Sequence, residues 1–146
     1  MILLLLANVA ATLFMVGVIW FVQVVHYSLF VRVGRSGFSA YSGGHTRLTG
    51  LIVGPPMLLE AATAVALVVW TPPGISVALV WTGLVLVAGI WLSTALWQAP
   101  RNTTLGRGFD PSAHRFLVAS NWVRTVLWTA RGVIVLVMTA VLLPPA

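Results

Sequence analysis

Four apolar runs, each about as long as a bilayer is thick, leave this chain one architecture. A helix needs roughly 20 apolar residues to cross the hydrocarbon core, and such runs occupy about 2–31, 48–70, 76–98 and 112–143. Backbone polar groups cannot stay unpaired in lipid, so the runs predict helices. The chain therefore reads as all-α, a four-transmembrane-helix bundle forming one integral membrane domain over residues 1–146. Composition excludes a soluble fold: 7% of the residues are charged, where a soluble domain has about a quarter. The net charge of +6 would suggest nucleic acid in a soluble protein. Here the basic residues are spread through the loops between spans, so nucleic acid is not an expected partner. With no cysteine, disulfides and thiolate-ligated metals are excluded.

The breaks between runs set the orientation. Thr71-Pro72-Pro73-Gly74 is a helix-stop turn without charge. The other two breaks, 32–47 and 99–111, read as longer loops; Arg32, Arg35 and Arg47 belong to the first, and Arg101, Arg107 and Arg115 to the second and its edge. Loops rich in arginine stay in the cytoplasm, which places both termini outside. The first run has no basic n-region and is too long for a cleaved signal peptide. Asp110 followed by Pro111 predicts the N-cap and first position of the fourth helix. Ser39 is the corresponding candidate for the second, with Gly43-Gly44 favouring a loop at its start. Pro55-Pro56 inside the second run predicts a kink that frees carbonyls one turn earlier.

Glu60, Arg124 and Arg131 lie inside apolar sequence. Ionised groups there are costly and mark sites or pairs, and two cations face one anion. Sliding the chain by 71 residues superposes Trp20 on Trp91 and Gly37-Phe38 on Gly108-Phe109, which suggests a 2+2 parallel internal repeat. The same shift superposes Glu60 on Arg131, so the two sit at matched depth and can pair. Asn121, Arg124, Trp128 and Arg131 follow a helical period and predict one stripe turned to the bundle interior. Gln23, His26 and Tyr27 share a face near the cytoplasmic end of the first helix, and Ser93, Thr94, Trp97 and Gln98 end the third. The outer half reads as apolar except near Glu60 and Arg131.

Those groups predict a polar pocket open to the cytoplasmic side. Gln23, Trp97, Gln98, Asn121, Trp122, Arg124, Thr125, Trp128 and Arg131 are its candidate ligand-binding residues. His26, Tyr27 and Glu60 are the candidates for proton exchange or catalysis. Imidazole suits iron, copper, zinc or haem, so His26, His45 and His114 form a candidate metal set, although no two have the i, i+4 spacing of a helical chelate. Of the seven tryptophans, Trp70 and Trp81 fit an outer aromatic belt. Trp20, Trp91, Trp122 and Trp128 lie deep enough to wall a flat ligand such as a quinone or haem, or simply to pack.

Some segments resemble a known group. His26-Tyr27-Ser28-Leu29-Phe30, His45-Thr46-Arg47 leading to Pro55-Pro56-Met57-Leu58-Leu59-Glu60, and Asn121-Trp122-Val123-Arg124-Thr125 are similar to small uncharacterised four-helix bacterial integral membrane proteins. The resemblance covers most of the chain and implies a multi-pass protein of the bacterial inner membrane, with no activity attached. Members of that group carry a histidine near position 42, where this chain has Ser42, which weakens a histidine-rich metal site.

Three function classes follow. The first is binding of an anionic or aromatic ligand or cofactor held by Arg124, with a membrane oxidoreductase as one form of it. The second is a non-catalytic accessory subunit of a larger membrane complex. The third is a small proton-coupled or anion transporter, which four helices would serve as a homo-oligomer.

Overall fold

The computed structural model describes residues 1–142 and contains four long helices, each long and apolar enough to cross a membrane. They are α1 (Ile2–Arg32), α2 (Phe38–Val69), α3 (Val77–Gly106) and α4 (Pro111–Leu142). Consecutive helices run antiparallel, and α1 and α3 each pack between α2 and α4, so the four form a ring in cross-section. This is a four-helix bundle and a multi-pass membrane protein. Large apolar side chains such as Leu3, Leu51, Val85, Leu96 and Val126 point outward. In lipid such positions carry no desolvation cost, so the outer faces can be as apolar as the core.

The helices outlast the apolar runs. α2 begins at Phe38, about ten residues before the expected start at 48, and α3 continues to Gly106 rather than ending at 98. The expected loops 32–47 and 99–111 shrink to 33–37 and 107–110. Hydropathy marks only the segment in hydrocarbon, whereas a helix of about 30 residues also traverses the headgroup layers. Gly43-Gly44 lies within α2 and makes no loop. The expected end of the fourth helix at Leu143 lies outside the described residues.

Local chemistry fixes the ends. Asp110 Oδ1 accepts the amides of Ser112 (2.7 Å) and Ala113 (3.0 Å), capping α4. Those amides, Ala113 first, hold the Asp110 carboxyl below its ordinary value of 3.8. A depressed carboxylate pKa contributes stability that is full above the ordinary value and fades as pH falls through the lowered one. Asp110→Ala is therefore expected to lower the melting temperature at pH 7, with the difference from wild type shrinking below about pH 4. Thermal unfolding in detergent across pH checks both parts. Ser39 does not cap α2. It lies inside that helix, behind the N-cap residue Gly37, and its Oγ donates to the Gly106 carbonyl at 2.6 Å, clasping the start of α2 to the end of α3. At the opposite end Gly74 takes φ 88° in the α2–α3 turn, a conformation that favours glycine.

Three apolar clusters stack along the bundle axis. Leu5, Leu67, Ile75, Val80 and Met138 close the turn end. Met15, Ile19, Met57, Ile90 and Trp128 fill the middle. Tyr27, Phe30, Phe38, Leu105, Ala113 and Leu117 close part of the arginine-rich end. Buried positions Met57, Glu60, Ala64 and Leu67 of α2 recur in α4 as Trp128, Arg131, Val135 and Met138, each pair 71 residues apart. Both α1 and α3 also widen into a π-turn, at Val22–His26 and Thr94–Gln98.

Candidate functional site

Two polar regions occupy the bundle, one sealed and one open. The sealed one surrounds Glu60, which is 1% exposed. Thr12 Oγ1 donates to Glu60 Oε1 at 2.8 Å and Trp128 Nε1 donates to Oε2 at 2.9 Å. Arg131 Nε lies 3.9 Å from Oε1, an ion pair without a close hydrogen bond. Arg131 Nη2 donates instead to Asn8 Oδ1 at 2.6 Å, and Asn8 Nδ2 donates to Thr63 Oγ1 and to the Glu60 carbonyl. The fourth wall is Gly83 of α3, where any Cβ would overlap Arg131 Nη1. All four helices thus meet at one carboxylate–guanidinium pair. The outer half is accordingly more polar than its sequence suggests, because Asn8, Thr12 and Thr63 join the pair. Their signal was available: Asn8 and Thr12 are one helical turn apart in an otherwise apolar stretch.

The open region is a cavity of about 570 Å3 towards the arginine-rich end. That size suits a small ligand or a headgroup. Arg124 stands in its wall, with Nη1 3.3 Å from Thr94 Oγ1 and the guanidinium carbon 5.5 Å from the Trp128 ring centroid. Its Nε is buried without a hydrogen-bond partner. The chain has two acidic side chains: Glu60 serves Arg131 and Asp110 caps α4, so no described carboxylate reaches Arg124. The cavity is lined by Tyr27, His45, Thr46, Gln98 and Asn102 among its polar groups, by Arg47 as a second cation, and by no acid.

Two glycines explain why space exists here. Gly43 and Gly50 of α2 line the cavity, and nothing approaches within 4 Å of a Cβ built on either. A shift of 71 residues places them over His114 and Asn121 of α4. Those two fill the matching α1–α4 interface. His114 Nε2 lies 2.9 Å from the Tyr27 carbonyl, and Asn121 Nδ2 donates to Gln23 Oε1 at 2.7 Å. One interface is thus packed with side chains and the other is left hollow. The π-turns border the hollow through Val22, Thr94 and Gln98. Such turns commonly fall at functional sites. Sequence reading missed the turns, which leave no compositional trace, and overlooked Thr46, Thr49 and Asn102 because their segments were taken as loops or apolar helix.

The remaining candidates divide between these regions and the exterior. Asn121, Trp128 and Arg131 are buried and Arg124 is partly so, making the α4 stripe an interior one. Tyr27, Gln98, Arg124 and Trp128 line the cavity, while Arg131 and Glu60 lie in the sealed network beyond it. Asn121 Nδ2 donates to Gln23 Oε1 and Gln23 Nε2 to the Val118 carbonyl, which leaves Asn121 Oδ1 buried without a partner, and Thr125 donates to the Asn121 carbonyl. Trp97 and Trp122 face outward, the latter edge-on to Trp20 at 5.7 Å. His26 stands in the α1–α2 seam, its ring tilted against that of His45 with centroids 4.2 Å apart. The three histidines do not assemble as a ligand set: His114 is engaged with the Tyr27 carbonyl, and among the described residues no group of three or more His, Asp or Glu is placed to hold a metal. Comparison with protein-family models, curated proteins and solved structures gives no match.

Proposed function

We propose that this protein binds an oxyanion-bearing ligand inside the membrane, with Arg124 as its anchor. The carrying observation is a guanidinium beside a cavity with no acid in its lining, while the other buried arginine has its own carboxylate. A cation in a low-dielectric site attracts phosphate or carboxylate strongly, and arginine's planar fork holds either one bidentately. Tyr27, Gln98 and Asn102 supply neutral hydrogen-bonding groups around the anion. Glu60 and Arg131 serve the scaffold, pinning the four helices whose separation leaves the cavity. In this reading the protein belongs to the small four-helix bacterial proteins it resembles, sits in the inner membrane with the arginine-rich end in the cytoplasm, and arose by duplication of a helical hairpin. The recurrence of buried positions at a spacing of 71 residues supports that origin.

Arg124→Gln keeps a hydrogen-bonding side chain and removes the charge. It is expected to weaken binding of an anionic ligand by about 10- to 100-fold, since charge-assisted hydrogen bonds contribute about 1.5–3 kcal/mol. Native mass spectrometry of wild type and variant in non-ionic detergent, scored for co-purified anionic molecules and for added phosphate- or carboxylate-bearing probes, is the check. Equal retention by both proteins would remove Arg124 as the anchor.

A further inference from the structure

An oxyanion can reach Arg124 from water or as the headgroup of a lipid, and the cavity's walls distinguish the two. Its α1 and α4 walls carry no exposed residue: Ile19, Tyr27 and Trp128 are each no more than 3% exposed, and Val18, Val22 and Arg124 are partly buried. The exposed part of its lining belongs to the other two helices, including Thr46 and Gly50 on α2 and Ala99 and Thr103 on α3. The path from the helix ends is obstructed by the Ser39–Gly106 clasp, next to which Phe38, Phe109 and Leu105 pack. The mouth is therefore lateral, between α2 and α3, below that clasp. Gly50 lies twelve residues into α2, roughly 18 Å along the axis. The headgroup layer is only about 5–8 Å thick, so this part of the mouth opens at hydrocarbon depth. Leu51 and Leu96, 64% and 65% exposed, flank it with apolar surface.

We infer that the anion is the headgroup of a lipid, drawn sideways from the leaflet at the arginine-rich end, with its acyl chain left outside along Leu51 and Leu96. This rests on the anion-binding reading of Arg124 and adds the ligand's class and route. Arg47, at the outer part of the cavity, meets the headgroup first, and Arg124 receives it deeper. Along the way the Thr46 hydroxyl is suited to a phosphate oxygen, whereas those of Thr94 and Thr103 already donate to the Ile90 and Ala99 carbonyls.

The test uses the full chain in non-ionic detergent with three probes: lysophosphatidate, the matching monoacylglycerol and inorganic phosphate. Saturable lysophosphatidate binding at least 30-fold tighter than either of the others is the expected result. Gly50→Leu and Thr103→Trp, on opposite lips, should each cut lysophosphatidate binding at least 10-fold, with helical circular dichroism and elution volume confirming the fold. If only one variant folds, that variant decides. Inorganic phosphate binding as tightly as lysophosphatidate, with both lost in Arg124→Gln, would overturn the lipid inference and keep the anion site. Equal binding of the monoacylglycerol and phosphatidate probes would show that the chain alone is recognised and sink the headgroup assignment. No binding of any probe overturns the lipid inference, and the anion site falls with it if the carboxylate-bearing probes of the preceding test also fail to bind.

Discussion

Glu60→Ala is expected to destabilise the bundle by about 3–5 kcal/mol, the cost typical of breaking a buried ion pair from one side. The carboxylate offsets the Arg131 charge and accepts hydrogen bonds from Thr12 and Trp128. Its loss leaves a guanidinium that is 1% exposed without a counter-charge and an indole N–H without an acceptor. A soluble protein can let water into such a defect, but here the surroundings are packed helices and lipid. Glu60→Gln should cost less, because an amide oxygen still accepts from Trp128. Combining Glu60→Gln with Arg131→Met should recover much of the loss, since replacing both partners of a buried pair is often close to neutral. Denaturant or thermal unfolding in detergent provides the comparison. A Glu60→Ala protein within about 1 kcal/mol of wild type would mean that the pair is not a structural pin. The expectation also separates the two arginines, because Arg124→Gln removes no partner from any carboxylate and should leave stability nearly unchanged.

That separation was only half legible in the chain. Sequence alone put both arginines and Glu60 in the membrane, put them on interior faces and matched Glu60 with Arg131 in depth. Depth follows from counting residues along helices whose existence hydropathy guarantees, and 3.9 Å between the groups agrees with the count. Hydropathy could not say where helices stop. Ser39 was read as a helix cap and Gly43 and Asn102 as loop residues, yet the structure holds all three inside helices that continue past the apolar core. A pocket on the arginine-rich side was expected from the polar groups, but its outer wall was not, since that wall is built from those extensions. Gly43 and Gly50 had a readable signal in the 71-residue shift, which sets them against His114 and Asn121. A missing side chain is harder to notice than an unusual one. The histidines show another limit: three imidazoles near one membrane surface suggested a metal set, but among the described residues they are not gathered at one point, His26 lying against His45 and His114 against the Tyr27 carbonyl.

Gly83→Ala should prove nearly as damaging as loss of the carboxylate, and for a linked reason. Gly83 is buried in α3 against the Arg131 guanidinium, and a methyl group there would overlap Nη1. On an exposed helix the same change would stabilise by about 1 kcal/mol through propensity. An arginine tip free to swing would absorb the intrusion at little cost. This one is not free, because Nη2 is tied to Asn8 at 2.6 Å and Nε faces Glu60, so movement breaks one contact or the other. Overpacking typically costs about 1–3 kcal/mol, and disturbance of the ion pair should bring the total to about 3 kcal/mol or more. The diagnostic measurement is a double-mutant cycle with Arg131→Met. Methionine lacks the rigid fork and bends into irregular space, so Gly83→Ala should cost under about 1 kcal/mol in that background, giving a coupling of about 2 kcal/mol. Equal costs in both backgrounds would show that the alanine clashes with the helices themselves. A near-zero cost in the wild-type background would show that the guanidinium moves, and the four-helix pin would then be looser than its hydrogen bonds imply.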